Sequence, residues 1–522
     1  MNQTALGWRR GGLALLALPV LLPLGWLLAA WWQPQAAGWT HLRAHVLPQA
    51  LFETVVLLLG VTSLSVLLGG TLGWLVGRCR FPGQRWLGWV LLLPAALPTY
   101  VLAFAWVGLS EYAAPLPGWL RSTLGWTPPA VHGLAGAIFV LGLAFYPYVY
   151  LLARQHASQL PASLDETGRL LGLSRRQRAW RIVVPLLLPA LALGGSLAAM
   201  ETLAEFGAVA TLGVSSLTTT VYKAWYGLFN LPLAAQLASL AVLFLLGLAV
   251  AEAALRRRQR GAAGGRTLAP VKLSGWRAAL ATATCLLVLL LALVAPLAQL
   301  LWWSWRSGRA ALVDSLPAFW STAALAALAA LLLVLLGLAV ALLERRQRTD
   351  PWLGRWSALA TGGYAMPGTL LGVALLLLLT PLEQWTGLTL ASGVFALLLA
   401  YAARFLRMAH AALAERLVGL RDSVPEAART LGLKRWQRLR WLYLPTLAGP
   451  AGVAWLLVFT ELCKELPATL ILRPLEWDTL AIRIWSYTSE GLWAEAAAPA
   501  LLLVALSTVP AALLLRTRGA PP

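Results

Sequence analysis

Four glutamates stand where a charge is costly. Glu201 and Glu205 close an apolar run and lie four residues apart, so on a helix they share one face; Glu461 and Glu465 repeat the arrangement. A carboxylate inside a bilayer pays a large desolvation cost, which makes such a residue a candidate for substrate or proton chemistry. Carboxylate oxygens suit hard cations. The cysteines (Cys79, Cys285, Cys463) have no CxxC spacing, and the histidines (His41, His45, His132, His156, His410) form no ligand pattern, so nothing points to a soft-metal or stably bound metal site. The plainer alternative is that the acids hydrogen-bond neighbouring helices, or that Lys464 neutralises one of them. Enzyme chemistry is not indicated. No nucleophile is paired with a base, and none of the lysines (Lys223, Lys272, Lys434, Lys464) sits in a GxxxxGK phosphate loop.

The elements that would hold these acids are membrane helices. Of the 522 residues, 59% are hydrophobic and 12% charged, against about 25% charged in soluble domains. Apolar runs long enough to cross a bilayer fall near 13–32, 51–76, 86–109, 133–153, 182–204, 232–255, 278–303, 319–343, 356–380, 388–407, 441–463 and 494–515. The sequence therefore predicts an all-α integral membrane protein of about twelve transmembrane helices. The first run follows Arg9 and Arg10, lacks a clean small-x-small cleavage site, and reads as an uncleaved helix. The net charge of +21 suggests nucleic acid only superficially, because the basic residues form short clusters between apolar runs. With the N-terminus placed in the cytoplasm, most of them fall inside: Arg78 to Arg85, Arg154 to Arg181, Arg256 to Arg277, Arg345 to Arg355, Arg404 to Arg440, and Arg516 with Arg518. Both termini are then cytoplasmic. Gly69, Gly73 and Gly77, and likewise Gly368 and Gly372, recur at four-residue spacing and predict close helix packing.

A duplication organises the chain. Ser163, Glu166, Gly172, Gln177, Pro185, Glu201, Glu205, Thr219 and Trp225 are each matched by the same residue type 260 positions later. The chain divides into a first half (1–255), a basic Gly-rich linker (256–277) and a second half (278–522), each half with six helices. An even number of crossings separates the halves, so they are parallel repeats. In each half a loop between the fourth and fifth helices carries Ser-x-x-Glu (Ser163 to Glu166, Ser423 to Glu426), which reads as a capping box. Gly172 and Gly432 follow at a helix C-terminus, and a short basic helix then feeds the next span at Pro185 or Pro445. The expectation is a helix–Gly–helix elbow on the cytoplasmic surface, once per half. An interfacial helix on anionic lipid would have the same charge, but not two copies of matched Ser, Glu, Gly and Pro.

Glu followed by five residues and Gly, with Pro thirteen further on, resembles the EAA loop of the permease subunits of binding-protein-dependent ABC importers. Glu426-Ala-Ala matches that motif, while Glu166-Thr-Gly departs at its second and third positions. The segments Met200-Glu-Thr-Leu-Ala-Glu-Phe-Gly-Ala-Val, Lys464-Glu-Leu-Pro-Ala-Thr-Leu-Ile-Leu-Arg-Pro and Tyr146-Pro-Tyr-Val-Tyr-Leu-Leu-Ala-Arg are similar to the ferric-iron permeases of that superfamily, as is the fused two-half layout. The resemblance implies that each elbow is a coupling helix. Asp165, Glu166, Gly172, Glu426, Ala427, Ala428 and Gly432 then meet or shape the contact with two copies of a separate ATP-binding subunit, which uses ATP and Mg. This chain itself binds no cofactor. The resemblance further implies a periplasmic solute-binding protein, location in the bacterial inner membrane, and no role for nucleic acid. The substrate path would run past Glu201, Glu205, Glu461 and Glu465. An outer gate is expected in 206–231 and 466–493, with Tyr222, Tyr226 and Tyr487 as candidate residues. The rival readings are another cargo (thiamine, a polyamine, a phosphonate or a sulfate-like anion) and a proton-coupled secondary transporter with the glutamates as relays.

Overall fold

The computed structural model describes residues 3–518 apart from 113, 259–267, 345–350, 421–422 and 475. It is helical almost throughout. Among the described residues nine helices are long and apolar enough to cross a membrane, or ten if one bent pair counts as a span. Every one of the twelve apolar runs is helical, and the lower number comes from how they are broken or joined. The runs 278–303 and 319–343 lie on one stretch of helix, Trp276–Glu344, interrupted at Gly308, whose φ of 76° is open to glycine. At about 1.5 Å per residue that stretch is roughly three times the bilayer core, so the break is where the chain turns. The run 86–109 is split into Gln84–Ala96 and Thr99–Leu124, bent by 93°. The run 356–380 is split by a tight turn at Gly362–Ala365 before Gly368–Thr386. In both splits a proline, Pro98 or Pro367, stands immediately before the new helix. The last run contributes a shorter apolar helix, Trp493–Thr508.

The glycine stripe does what its spacing predicts. A Cβ added at Gly69, Gly73 or Gly77 would lie 2.6–2.7 Å from Tyr146, Val149, Ala153 or Arg154, so Leu47–Arg78 and Gly133–Ser158 meet backbone to backbone. Gly337 plays the same part in the second half, where a Cβ would come within 2.9 Å of the His410 amide. Gly372 likewise lies against Ile471.

The sequence halves interlock. The first helix of each packs on the other: Leu13 clusters with Val340, Leu353 and Leu406, while Ala278, Ala281, Cys285 and Val288 join a core made of residues 57–214. Trp106 donates to the Leu291 carbonyl (3.2 Å) across this contact. The linker end is also anchored. The Leu268 amide donates to the Leu160 carbonyl (2.8 Å), and Val271–Lys272 pairs in parallel with Cys79–Arg80. Cys79 is buried there, and burial outweighs nearby Arg78 to push its thiol up, which leaves an inert filler.

Candidate functional site

Of four breaks in the helices, three line a cavity of about 100 Å³ and the fourth, at Pro367, packs beside it against Glu465 and Arg404. Two are the proline breaks, which start new helices at Thr99 and Gly368. The others follow Ala204 and Lys464, where Glu205 and Glu465 take extended backbone before the next short helix. All four sequence-predicted glutamates line this cavity, together with Thr99, Tyr100, Phe145, Tyr148, Arg404 and Lys464.

The acids fall into two kinds. Glu205 Oε1 accepts the Ala208 amide (3.0 Å) and Glu465 Oε1 accepts the Ala468 amide (3.0 Å). Each thus satisfies a free amide at the start of the following helix, with Thr218 and Thr469 donating to the two glutamate carbonyls. Their second oxygens differ: Thr99 donates to Glu205 Oε2 (2.8 Å), whereas Arg404 forms an ion pair with Glu465 Oε2 (2.6 Å). Glu201 and Glu461 hold no helix start. Glu201 accepts from the Tyr364 hydroxyl (3.2 Å), and Glu461 pairs with Lys464 (2.7 Å), as the plainer sequence reading allowed. Four acids against two cations leave the lining acidic. Among the described residues no three His, Cys, Asp or Glu converge to hold a metal ion.

Arg404 corrects the sequence reading. It was grouped with the cytoplasmic basic residues, but it lies in the middle of Val394–Gly419 and points into the cavity. The run 388–407 had been placed too early; the helix begins after Gly393, which moves Arg404 from the end of a span to its centre. Tyr100 and Tyr364 stand at the breaks at Pro98 and Pro367, which the sequence does not mark as breaks, while Tyr148 lies inside the continuous helix Gly133–Ser158.

The elbows have matching geometry. Gly172 has φ 71° and Gly432 φ 75°. In each, the residue after the glycine reaches back five residues and the glycine itself closes the inner bond: Leu173 to Gly168 and Gly172 to Arg169, then Leu433 to Ala428 and Gly432 to Arg429. This is the Schellman arrangement, which uses up the helix-end carbonyls. Glu166, Glu426 and Ala427 are exposed, as are Leu171 (72%) and Leu431 (79%). Ala428 and its counterpart Gly168 are buried, and a Cβ at Gly168 would meet the Ile182 side chain at 2.8 Å, so this position packs against the helix that follows the elbow. The Asp165 side chain lies outside the described residues. Among the described residues the expected capping boxes are not found. Ala162–Leu170 starts one residue before Ser163, with Pro161 at the cap and no side-chain bond. In Ser423–Thr430, Ser423 is already helical and its cap position lies outside the described residues. A reciprocal box occurs later, where the Ser174 amide donates to Gln177 Oε1 (2.9 Å) and the Gln177 amide to Ser174 Oγ (3.3 Å); Lys434 and Gln437 keep one arm of it.

Of the gate candidates, Tyr222 and Tyr226 stack (5.5 Å between centroids), and Tyr222 meets Phe206 (4.9 Å) and Trp485 (6.5 Å), bridging the halves just beside Glu205. Tyr487 stands apart from these ring contacts and packs on the main core. Capping also shifts one repeat pairing. Ser216 and Thr479 cap the equivalent helices, and their following residues, Leu217 and Leu480, donate to Thr54 and Thr322. Thr219 is therefore not the counterpart of Thr479.

Residues 69–261 match the family Binding-protein-dependent transport system inner membrane component. The chain is 27% identical over 476 residues, 89% of each chain, to the Fe(3+)-transport system permease protein FbpB 2 of Haemophilus influenzae. It is 30% identical over 197 residues to the molybdenum transport system permease protein ModB of Escherichia coli K12, covering 36% of this chain and 83% of that one. It is 27% identical over 198 residues to the sulfate transport system permease protein CysT of Escherichia coli K12, covering 38% and 70%.

Proposed function

Because this chain belongs to the inner-membrane components of binding-protein-dependent transport systems, we propose that it forms the channel of an ATP-driven importer and carries ferric iron. In this reading about twelve spans form two parallel six-helix halves, with both termini and both elbows in the cytoplasm. Two copies of a separate ATP-binding subunit, using ATP and Mg, grip the elbows at Glu166, Leu171, Glu426 and Leu431. A periplasmic binding protein delivers cargo above the Tyr222–Trp485 aromatic bridge. Neither cofactor nor nucleic acid binds this chain; lipid surrounds it.

One observation carries the cargo assignment: four carboxylates from both halves line a single cavity and outnumber its cations. Oxygen donors and excess negative charge suit a small hard cation. A volume of about 100 Å³ is well below the 300–1,000 Å³ or so of sites for drug-sized molecules. This disfavours thiamine or a long polyamine in the present conformation. The relatives named for molybdenum and sulfate, with Arg404 and Lys464 in the lining, support a second reading in which the cargo is an anion. Both cations are already paired with acids, which weighs against it.

The test is uptake into vesicles holding the full chain with its partner ATPase and binding protein. Radioiron(III) should enter only with ATP inside and should resist competition by molybdate or sulfate. Uptake that follows a proton gradient without ATP, or that molybdate blocks, contradicts the proposal.

A further inference from the structure

The first half holds the glutamate equivalent to Glu465 without an arginine. The position 260 residues before Arg404 is Ala144, which also lines the cavity, and there Glu205 is held by the Thr99 hydroxyl instead. Thr99 and Gly368 are counterparts, each the first helical residue after a proline in extended conformation. A Cβ at Gly368 would collide with the Glu465 carboxylate and lie 2.9 Å from the Arg404 guanidinium and 3.0 Å from the Ala468 amide, so this position stays glycine. The first half thus uses Thr and Ala where the second uses Gly and Arg, and both satisfy the buried glutamate. The second solution adds a full positive charge inside the bilayer, which is expensive. A further sign of a ligand is Tyr100: it lines the same cavity, is 5% exposed, and its hydroxyl has no hydrogen-bond partner among the described residues.

We propose that Arg404 is a specificity-determining residue, a resident counter-charge that loosens the grip of the acid cavity on a highly charged cation so that the ion can leave. This rests on the cation reading above. A conducting site must bind well enough to fill and weakly enough to empty. Coulomb energy scales with the product of the charges, so one fixed positive charge weakens binding of a trivalent ion more than of a divalent one. Without Arg404 only Lys464 opposes the four carboxylates, and such a lining would hold a trivalent ion as a trap. Arg404, paired with Glu465 and facing the cavity, prevents that.

The test uses the full chain in lipid nanodiscs with terbium(III), read by luminescence sensitised by the cavity tyrosines, and calcium as the divalent probe. The variant Arg404→Gln removes the charge and leaves a side-chain amide N–H to donate to Glu465. It should bind terbium roughly tenfold or more tighter, with a smaller gain for calcium in proportion to valence. Arg404→Lys should stay near wild type. Equal gains for both ions, an unchanged terbium affinity, or terbium binding lost in Arg404→Gln while Arg404→Lys keeps it, overturns the proposal and leaves Arg404 a brace. If wild-type chain binds no terbium, or binding ignores Glu201→Gln, the cation reading itself fails and takes this proposal with it.

Discussion

Ferric-iron uptake should fall on the order of 100-fold when Glu201 and Glu461 are both replaced by Gln, while the protein still inserts and folds. These two acids are chosen because of what they do not hold. Glu205 and Glu465 accept the amides that begin the next short helices, so neutralising them loosens backbone as well as charge. Glu201 meets only a tyrosine hydroxyl, which Gln can also accept from, and Glu461 meets Lys464. Gln preserves shape and removes two of the four negative charges that face the cavity. The control is Glu461→Gln with Lys464→Gln, which avoids stranding a cation, since Lys464 is only 14% exposed. The measurement is radioiron uptake alongside ATP hydrolysis. Hydrolysis should continue in the double variant; uptake at wild-type rate would show that the cargo bypasses these acids.

The second large effect lies at the elbows. Val at Gly172 or Gly432 should uncouple hydrolysis from uptake, lowering iron moved per ATP roughly tenfold or more. Both glycines have positive φ, and a Cβ at either would meet nothing within 4 Å. The penalty is thus purely conformational, about 1–2 kcal/mol for an ordinary L-residue and more for a β-branched one. It falls on the bend alone and spares the spans. Asn, which tolerates this conformation, should retain most coupling. Equal uptake in the Val and Asn variants would remove the bend from the mechanism.

The acids, the glycine stripe and the elbow glycines were legible because each rests on a local rule: charge in an apolar run, small residues at helical spacing, glycine where φ turns positive. The partners of the acids were not. Arg404 sits among arginines that do flank a span, and a shift of a few residues in the helix start decides whether it is inside the membrane. Thr99 and Tyr100 depend on the chain breaking at Pro98, and a proline in an apolar run reads equally well as a kink in one span. Capping failed for a similar reason. Ser163 to Glu166 and Ser174 to Gln177 are nearly the same pattern, and only the backbone shows that Pro161 starts the first helix while Ser174 caps the second. The interlocked first helices have no sequence signal at all, since Leu13 and Cys285 lie in runs that fit either half.

The twofold account requires both elbows on one side of the membrane, in the grip of one kind of motor. Leu171 and Leu431 are exposed, and the native cysteines are buried, so single cysteines placed at these leucines report with little background. Labelled with a membrane-impermeant maleimide, both should react in inside-out vesicles and not in intact cells, and both should be shielded when the ATP-binding subunit is present. Labelling of the two positions from opposite faces, or equal labelling with and without that subunit, would contradict the account.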